Sequence, residues 1–197
     1  MGFTRKLPFG ILGCLVCFLS AFNVAEAQIS EIRLGVFDHN VNIHAKNGGK
    51  EKGPDVQAQV VFESPKWLEW AYSPRPLIVG SLNTHGETSF LGAGMEWSIP
   101  LGEQFELLPF FGIVYHNGDF LDNPYAPADI SRHTWFNEEK LALGSRDLFW
   151  LGLDLERKLS DEWAIAFHYE HLSHGQILGE GKNQGLDNFG LRIGRKF

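Results

Sequence analysis

The chain has 197 residues, a formal net charge of −7, 13% aromatic residues and 22 glycines. An acidic balance with no basic stripe excludes nucleic-acid binding as the main role. Both cysteines, Cys14 and Cys17, lie in the N-terminal apolar run, so disulfides, thiolate zinc sites and cysteine catalysis are not expected beyond it.

The N-terminal segment reads as a secretory signal peptide over residues 1–27. Arg5 and Lys6 form the charged region, Leu7 to Phe22 the apolar region, and Ala25-Glu26-Ala27 a small-x-small cleavage site. The mature chain is expected to begin at Gln28 and to form one domain, 28–197. An uncleaved anchor would need ~20 apolar residues, more than the run supplies. Lipoprotein processing at Ile11-Leu12-Gly13-Cys14 would leave much of that run on the mature chain and ranks below cleavage after Ala27.

The mean hydropathy of −0.14 resembles a soluble protein. A membrane barrel has the same average, because its strands alternate lipid-facing and lumen-facing residues. Eight such strands follow in order. The first, about 31–40, sets Ile32, Leu34 and Val36 on one side. The second sets Val56, Ala58, Val60 and Phe62 against Gln57, Gln59 and Glu63. A third is expected over about 76–84 and a fourth over about 88–99. The fifth, about 105–116, carries Leu107, Pro109, Phe111, Ile113 and Tyr115 on one face, with a bulge or local disruption expected at Pro109. The sixth opposes Leu151, Leu153 and Leu155 to Gly152, Asp154 and Glu156. On the seventh, Trp163, Ile165, Phe167, Tyr169, His171 and Ser173 share a face; on the eighth, Asp187, Phe189, Leu191, Ile193 and Phe197 do. The strands are close to the ~9–11 residues that a tilted transmembrane strand requires.

The connections alternate. Loops 41–54, 84–87, 118–144 and 175–185 fall on one side, assigned outside. Turns 100–104 and 159–162 fall on the other, with 64–75, where Lys66-Trp67-Leu68-Glu69-Trp70 is expected as a short interfacial helix. The expected fold is therefore all-β, an eight-stranded antiparallel transmembrane β-barrel. Short turns on one side and mostly longer loops on the other match the outer-membrane type.

A possible nucleophile, base and acid lie on the apolar faces. A serine hydroxyl needs an imidazole to take its proton, and the imidazole needs an acid to fix its tautomer. His171 and Ser173, two apart on a strand, point the same way, with Cα atoms ~6.5–7 Å apart. Asp187 heads the neighbouring antiparallel strand with matching parity, which makes contact with His171 geometrically natural. The competing reading is a polar collar where strands leave the membrane, since His-x-Ser is a common spacing. Polar residues on a lipid face are costly unless they sit at the interface.

Here the chain resembles a known family. His171-Leu172-Ser173, Asn183-x-Gly185-Leu186-Asp187 and Gly190-Leu191-Arg192-Ile193-Gly194-x-x-Phe197 look like the PagL-type lipid A 3-O-deacylases. The likeness is strongest over 163–197 and extends more loosely through Gly92-x-Gly94-Met95-Glu96-Trp97 and 110–118. It implies an outer-membrane esterase that hydrolyses the 3-position ester-linked acyl chain of lipid A in lipopolysaccharide, from a site on the barrel's outer wall near the outer leaflet. It implies Ser173 as nucleophile, His171 as base and Asp187 as orienting acid, with no cofactor and a possible homodimer. Two positions depart from the family: His174 stands where Asn is common, and Asp187 where Glu is frequent. The His174 imidazole or the Gly175 N–H is then the expected oxyanion donor.

Two rival readings stay open: a non-catalytic small barrel, adhesive or structural, and a soluble periplasmic barrel binding lipid inside. Metal binding by His168, His171 and His174 is disfavoured, because on a strand they alternate faces. Glu170 has lumen parity, and Glu180 is a less fixed alternative acid. Trp163, Trp97, Trp67, Trp70 and Tyr169 read as interface anchors. Lys46, Lys50 and Lys52 are candidates to meet lipid A phosphates, against a plain solvated loop.

Overall fold

The structure, a computed structural model, describes residues 28–41, 43, 50–119, 138–179 and 182–197. The expected signal peptide, Lys46, Glu180 and much of the 118–144 loop lie outside the described residues.

The strands are β1 (Ile29–Asp38), β2 (Asp55–Phe62), β3 (Arg75–Asn83), β4 (Phe90–Glu96), β5 (Ile99–Pro100), β6 (Phe105–His116), β7 (Asp147–Lys158), β8 (Trp163–Ser173) and β9 (Leu186–Lys196). All neighbours are antiparallel. Pairing of β1 with β9 and of β4 with β6 closes the sheet, and β5 continues the line of β4. The molecule is thus an all-β, closed eight-stranded antiparallel β-barrel.

Proline explains why the fourth strand is recorded in two pieces. Glu96 lies opposite Phe110 and Ile99 opposite Leu107, so the register is unchanged across the gap. Pro109 has no N–H to give, although its carbonyl still accepts from Trp97 N–H at 2.9 Å. The expected disruption is a missing ladder bond on the partner strand; β6 itself runs unbroken. A true irregularity occurs in β1, where the register shifts between Ile29 and Glu31. It turns both Ser30 and Glu31 inward and brings Glu31 to Arg33.

Alternation then sorts the residues. Leu34, Val36, Val56, Leu91, Phe111, Leu151, Phe167 and Leu191 stand exposed on the outer wall, whereas Arg33, Gln57, Gln59, Asp154, Glu170 and Arg192 are buried inside. In water this would be an inverted protein. With lipid outside it is the stable arrangement, since closure leaves no strand edge unpaired.

Interior charges would be costly alone, and they are joined instead. Arg33 donates to Glu31, Glu96 and Gln59, and Arg192 to Gln59. Arg192 also pairs with Asp154, which bonds His168. Glu170 accepts from the Trp150 indole at 2.7 Å and from Asn188 at 2.8 Å, and contacts His168 Nε2 at 3.1 Å. Asn188 continues the chain to Asp55, and Asp55 to His39.

At the loop-bearing end the filling becomes apolar. Leu141 and Leu143, from the loop before β7, pack with Leu148, Trp150, Leu172 and Leu186. Gln184 locks that plug, donating its N–H to Ala142 O at 2.9 Å and accepting Ala142 N–H at 2.7 Å. At the opposite end, residues 66–71 form the expected short helix, of the 3-10 type, over Lys66–Ala71.

Candidate active site

β8 and β9 place His171 directly opposite Asp187 in the antiparallel ladder. Both have outward parity, with Tyr169 and Ser173 on the same face of β8. His171 Nδ1 lies 2.7 Å from Asp187 Oδ1. An ionised carboxylate only accepts, so Nδ1 carries the proton and Nε2 is left as the basic lone pair. The Asp187 side chain is 6% exposed and that of His171 is 24%, so the acid is covered while the base stays reachable.

Two further residues shape this pair, and the sequence reading gave neither this role. Tyr169 OH donates to Asp187 Oδ1 at 2.7 Å, the oxygen that also meets His171. Expected as a membrane anchor, Tyr169 is instead a second hydrogen-bond donor to the acid. Gly185, at φ +72°, lies against the imidazole: a Cβ there would be 2.8 Å from His171 Cε1 and 3.5 Å from Nε2. Only glycine takes both that backbone and that approach without strain. Asp187 O also accepts Val41 N–H at 2.8 Å, tying the start of β9 to the first loop.

Ser173 lies opposite Phe149 of β7, two residues beyond His171. Among the described residues no hydrogen bond joins its hydroxyl to His171 Nε2. The His171–Asp187 contact of the expected constellation is thus made, and the expected Ser173–His171 contact is not.

Past Ser173 the chain turns through two left-handed residues, Gly175 at φ 59° and Gln176 at φ 59°. His174 organises this turn. Its carbonyl accepts from Ile177 and Leu178 N–H, both at 3.0 Å, and its Nδ1 from Gln176 N–H at 3.1 Å. With lumen parity, its ring is buried beside Gly144, away from the face that carries His171 and Ser173. Burial also holds the ring's pKa below the ordinary histidine value. Gly175 stays next to Ser173, with the Phe149 ring 3.0 Å from where a Cβ would stand.

The remaining expected residues fall as follows. His168 points inward and His171 outward, and among the described residues no three His, Cys, Asp or Glu side chains are arranged to hold a metal ion. Glu170 is buried in the interior network. Lys50 Nζ spans Lys140 O at 3.1 Å and Gln184 Oε1 at 3.3 Å, a structural position between loops, while Lys52 is exposed.

A closed eight-stranded barrel with an apolar outer wall and a charged interior defines the class: the outer-membrane β-barrel. Solved structures of like fold agree. The outer membrane enzyme PagL matches with a TM-score of 0.56 and 11% identity over 85% of this chain and 100% of that one. Neisserial surface protein A matches with a TM-score of 0.52 and 9% identity over 87% and 99%. At these identities the likeness is one of fold, shared by an enzyme and a surface protein alike. No family model and no curated protein matches the sequence.

Proposed function

We propose that this protein is an outer-membrane serine esterase, a lipid A 3-O-deacylase acting on lipopolysaccharide in the outer leaflet. The observation that carries the reading is the 2.7 Å His171–Asp187 pair on the lipid-facing wall, with Ser173 on the same face at the loop-bearing end. A hydrogen-bonded imidazole and carboxylate beside a serine on a largely apolar outer wall support a reading in which the group acted on is a membrane lipid.

In this reading Ser173 Oγ attacks the acyl carbonyl while His171 Nε2 takes the hydroxyl proton. Asp187 stabilises the imidazolium and holds its tautomer, and Tyr169 holds Asp187. The backbone N–H of Gly175 is the donor for the oxyanion. His171 returns the proton to the departing sugar oxygen, leaving an acyl-enzyme. Water, activated by the same imidazole, then releases a 3-hydroxy fatty acid and restores Ser173. Mass spectrometry of lipid A from cells expressing the protein tests this. Loss of one 3-hydroxyacyl chain with the wild type and none with Ser173→Ala is expected; an unchanged profile with the wild type overturns it.

The open Ser173–His171 link favours one alternative, a barrel that uses this wall without catalysis. A serine-directed acyl phosphonate separates the two: an adduct at Ser173 supports the esterase, and its absence in a folded, lipid-embedded sample supports the alternative.

A further inference from the structure

The outer wall around Ser173 changes character along the strands. Ser173 stands opposite Phe149 of β7, and Asp147 lies two residues further along β7 towards the loops, on the same outward face. The diagonal from Asp147 to Ser173 spans about 7–8 Å. Tyr115 of β6 stands opposite Asp147 in the ladder and is exposed. Towards the termini, apart from Tyr169 and the His171–Asp187 pair, the wall is apolar: Leu151, Leu153, Leu155, Phe167 and Phe189 are all exposed there. A polar row therefore stands on the loop side of Ser173 and a hydrocarbon-like wall on the other.

Nothing in the fold engages the Asp147 carboxylate. Its backbone N–H donates to Ser145 Oγ at 3.3 Å, but among the described residues no hydrogen bond or ion pair reaches its side chain. The neighbouring cation is turned elsewhere, since the Arg146 guanidinium donates to Gly118 O and His116 O. A half-buried carboxylate on a lipid-facing wall is costly without donors. The donors for Asp147 come from outside the chain.

The wall also orients an ester held at Ser173. The acyl chain follows the apolar side towards the termini, which leaves the alcohol half on the loop side, at Asp147. An ionised carboxylate accepts hydrogen bonds, donates none and repels a phosphate. An amino sugar brings O–H and N–H donors to that place, whereas the alcohol half of a phosphatidylcholine brings a phosphodiester and no donor. We propose that Asp147 is a specificity-determining residue: its carboxylate accepts a hydrogen bond from an O–H or N–H of the sugar next to the ester, and so selects a sugar ester over a glycerophospholipid ester. This assignment rests on the esterase reading of Ser173, His171 and Asp187.

The test uses the mature chain refolded in detergent micelles, with heat-modifiable mobility confirming folding. Initial rates of acyl release are compared for two substrates of equal chain length: a glucosamine acylated on its amide and its 3-hydroxyl, with the 4-hydroxyl unmodified, and a phosphatidylcholine. The wild type is expected to favour the sugar ester. Asp147→Leu is expected to lower the rate on the sugar ester by roughly tenfold, the loss of a hydrogen bond to a charged group, without lowering the rate on phosphatidylcholine. Should Asp147→Leu not refold, Asp147→Asn takes its place. Two further sugar esters locate the donor. Slowing of the wild type, but not of the variant, by a 4-O-methyl ether identifies the hydroxyl, and the same result with an N-methylated amide identifies the amide N–H; if neither slows the wild type, the assignment fails. An unaltered ratio of the two rates in the variant, or a wild type faster on phosphatidylcholine, overturns the role of Asp147 while leaving Ser173 an esterase nucleophile. A folded wild type that hydrolyses neither ester and takes no acyl phosphonate at Ser173 overturns the esterase reading and the assignment together.

Discussion

Gly185→Ala isolates the placement of His171 from the chemistry of its neighbours. The added methyl would stand 2.8 Å from Cε1 of the imidazole, where ordinary van der Waals contact begins near 3.4 Å, so ring or backbone must yield by about 0.6 Å. The ring is held on its other side by Asp187 at 2.7 Å, and moving away lengthens or bends that bond. Misplacement of a catalytic group by ~1 Å can cost ~100-fold in rate, so a shift of this size predicts roughly a tenfold loss. The left-handed backbone at φ +72° adds about 1–2 kcal/mol of destabilisation. Gly86→Ala is the control: it has φ +81° and nothing within 4 Å of the new Cβ, so it carries the backbone strain without the clash. Initial rates of acyl release from purified lipid A in detergent, alongside thermal loss of heat-modifiable mobility, compare the two. Similar destabilisation with a rate loss only in Gly185→Ala is expected. A folded Gly185→Ala protein with wild-type rates would refute the claim that the imidazole must stay where Asp187 holds it.

Three other outcomes follow from specific contacts. Tyr169→Phe removes a donor from Asp187 Oδ1 and leaves the packing ring; kcat is expected to fall about tenfold, consistent with a charge-assisted hydrogen bond of ~1.5–3 kcal/mol transmitted partly to His171, while KM changes little. Asn188→Leu leaves Glu170 and Asp55 each short of a buried donor behind the His171–Asp187 pair, and is expected to destabilise the barrel by about 2 kcal/mol or more, read as a lower thermal transition in detergent. His39, just beyond β1, is buried, which opposes its charge, but its hydrogen bonds to Asp55 and Glu51 outweigh burial and push its pKa up to about 9 from an ordinary 6.5. Its folded-state pKa being raised, the clamp's contribution of about 3 kcal/mol is complete below pH 6.5 and lost as pH rises through 9. Thermal stability measured from pH 6 to 10 should therefore drop across that window in the wild type and stay flat in His39→Gln.

Much of the fold was legible because membrane strands obey one rule. Alternation in β2, β6, β7 and β8 assigned each side chain to the outer wall or the interior, and the structure keeps those assignments. What escaped the pattern were places where one residue changes the local geometry. The irregularity at Ser30 and Glu31 turns two successive residues inward, and no period-2 reading registers an inserted residue before its partner strand is known. At Pro109 the missing donor was legible, but its effect appears across the ladder at Trp97 and Ser98, and so depends on a pairing that the sequence does not print.

For the candidate site, parity and hairpin register were enough to bring His171 to Asp187, since both belong to strands joined by a single loop. The supporting residues required side-chain geometry. Tyr169 reaches Asp187 diagonally across the ladder, and from sequence a tyrosine on a lipid face reads first as an anchor. Gly185 sits in a loop where a glycine carries no signal of what it abuts. His174 shows the reverse case: its parity was readable, and two residues of alternation from Leu172 already aim it inward. The structure gives that inward ring a task, organising the turn that follows Ser173. His174 thus acts on the shape of the chain beside Ser173, and under the proposed esterase reading an oxyanion donor on the outer face would come from the backbone of that same turn.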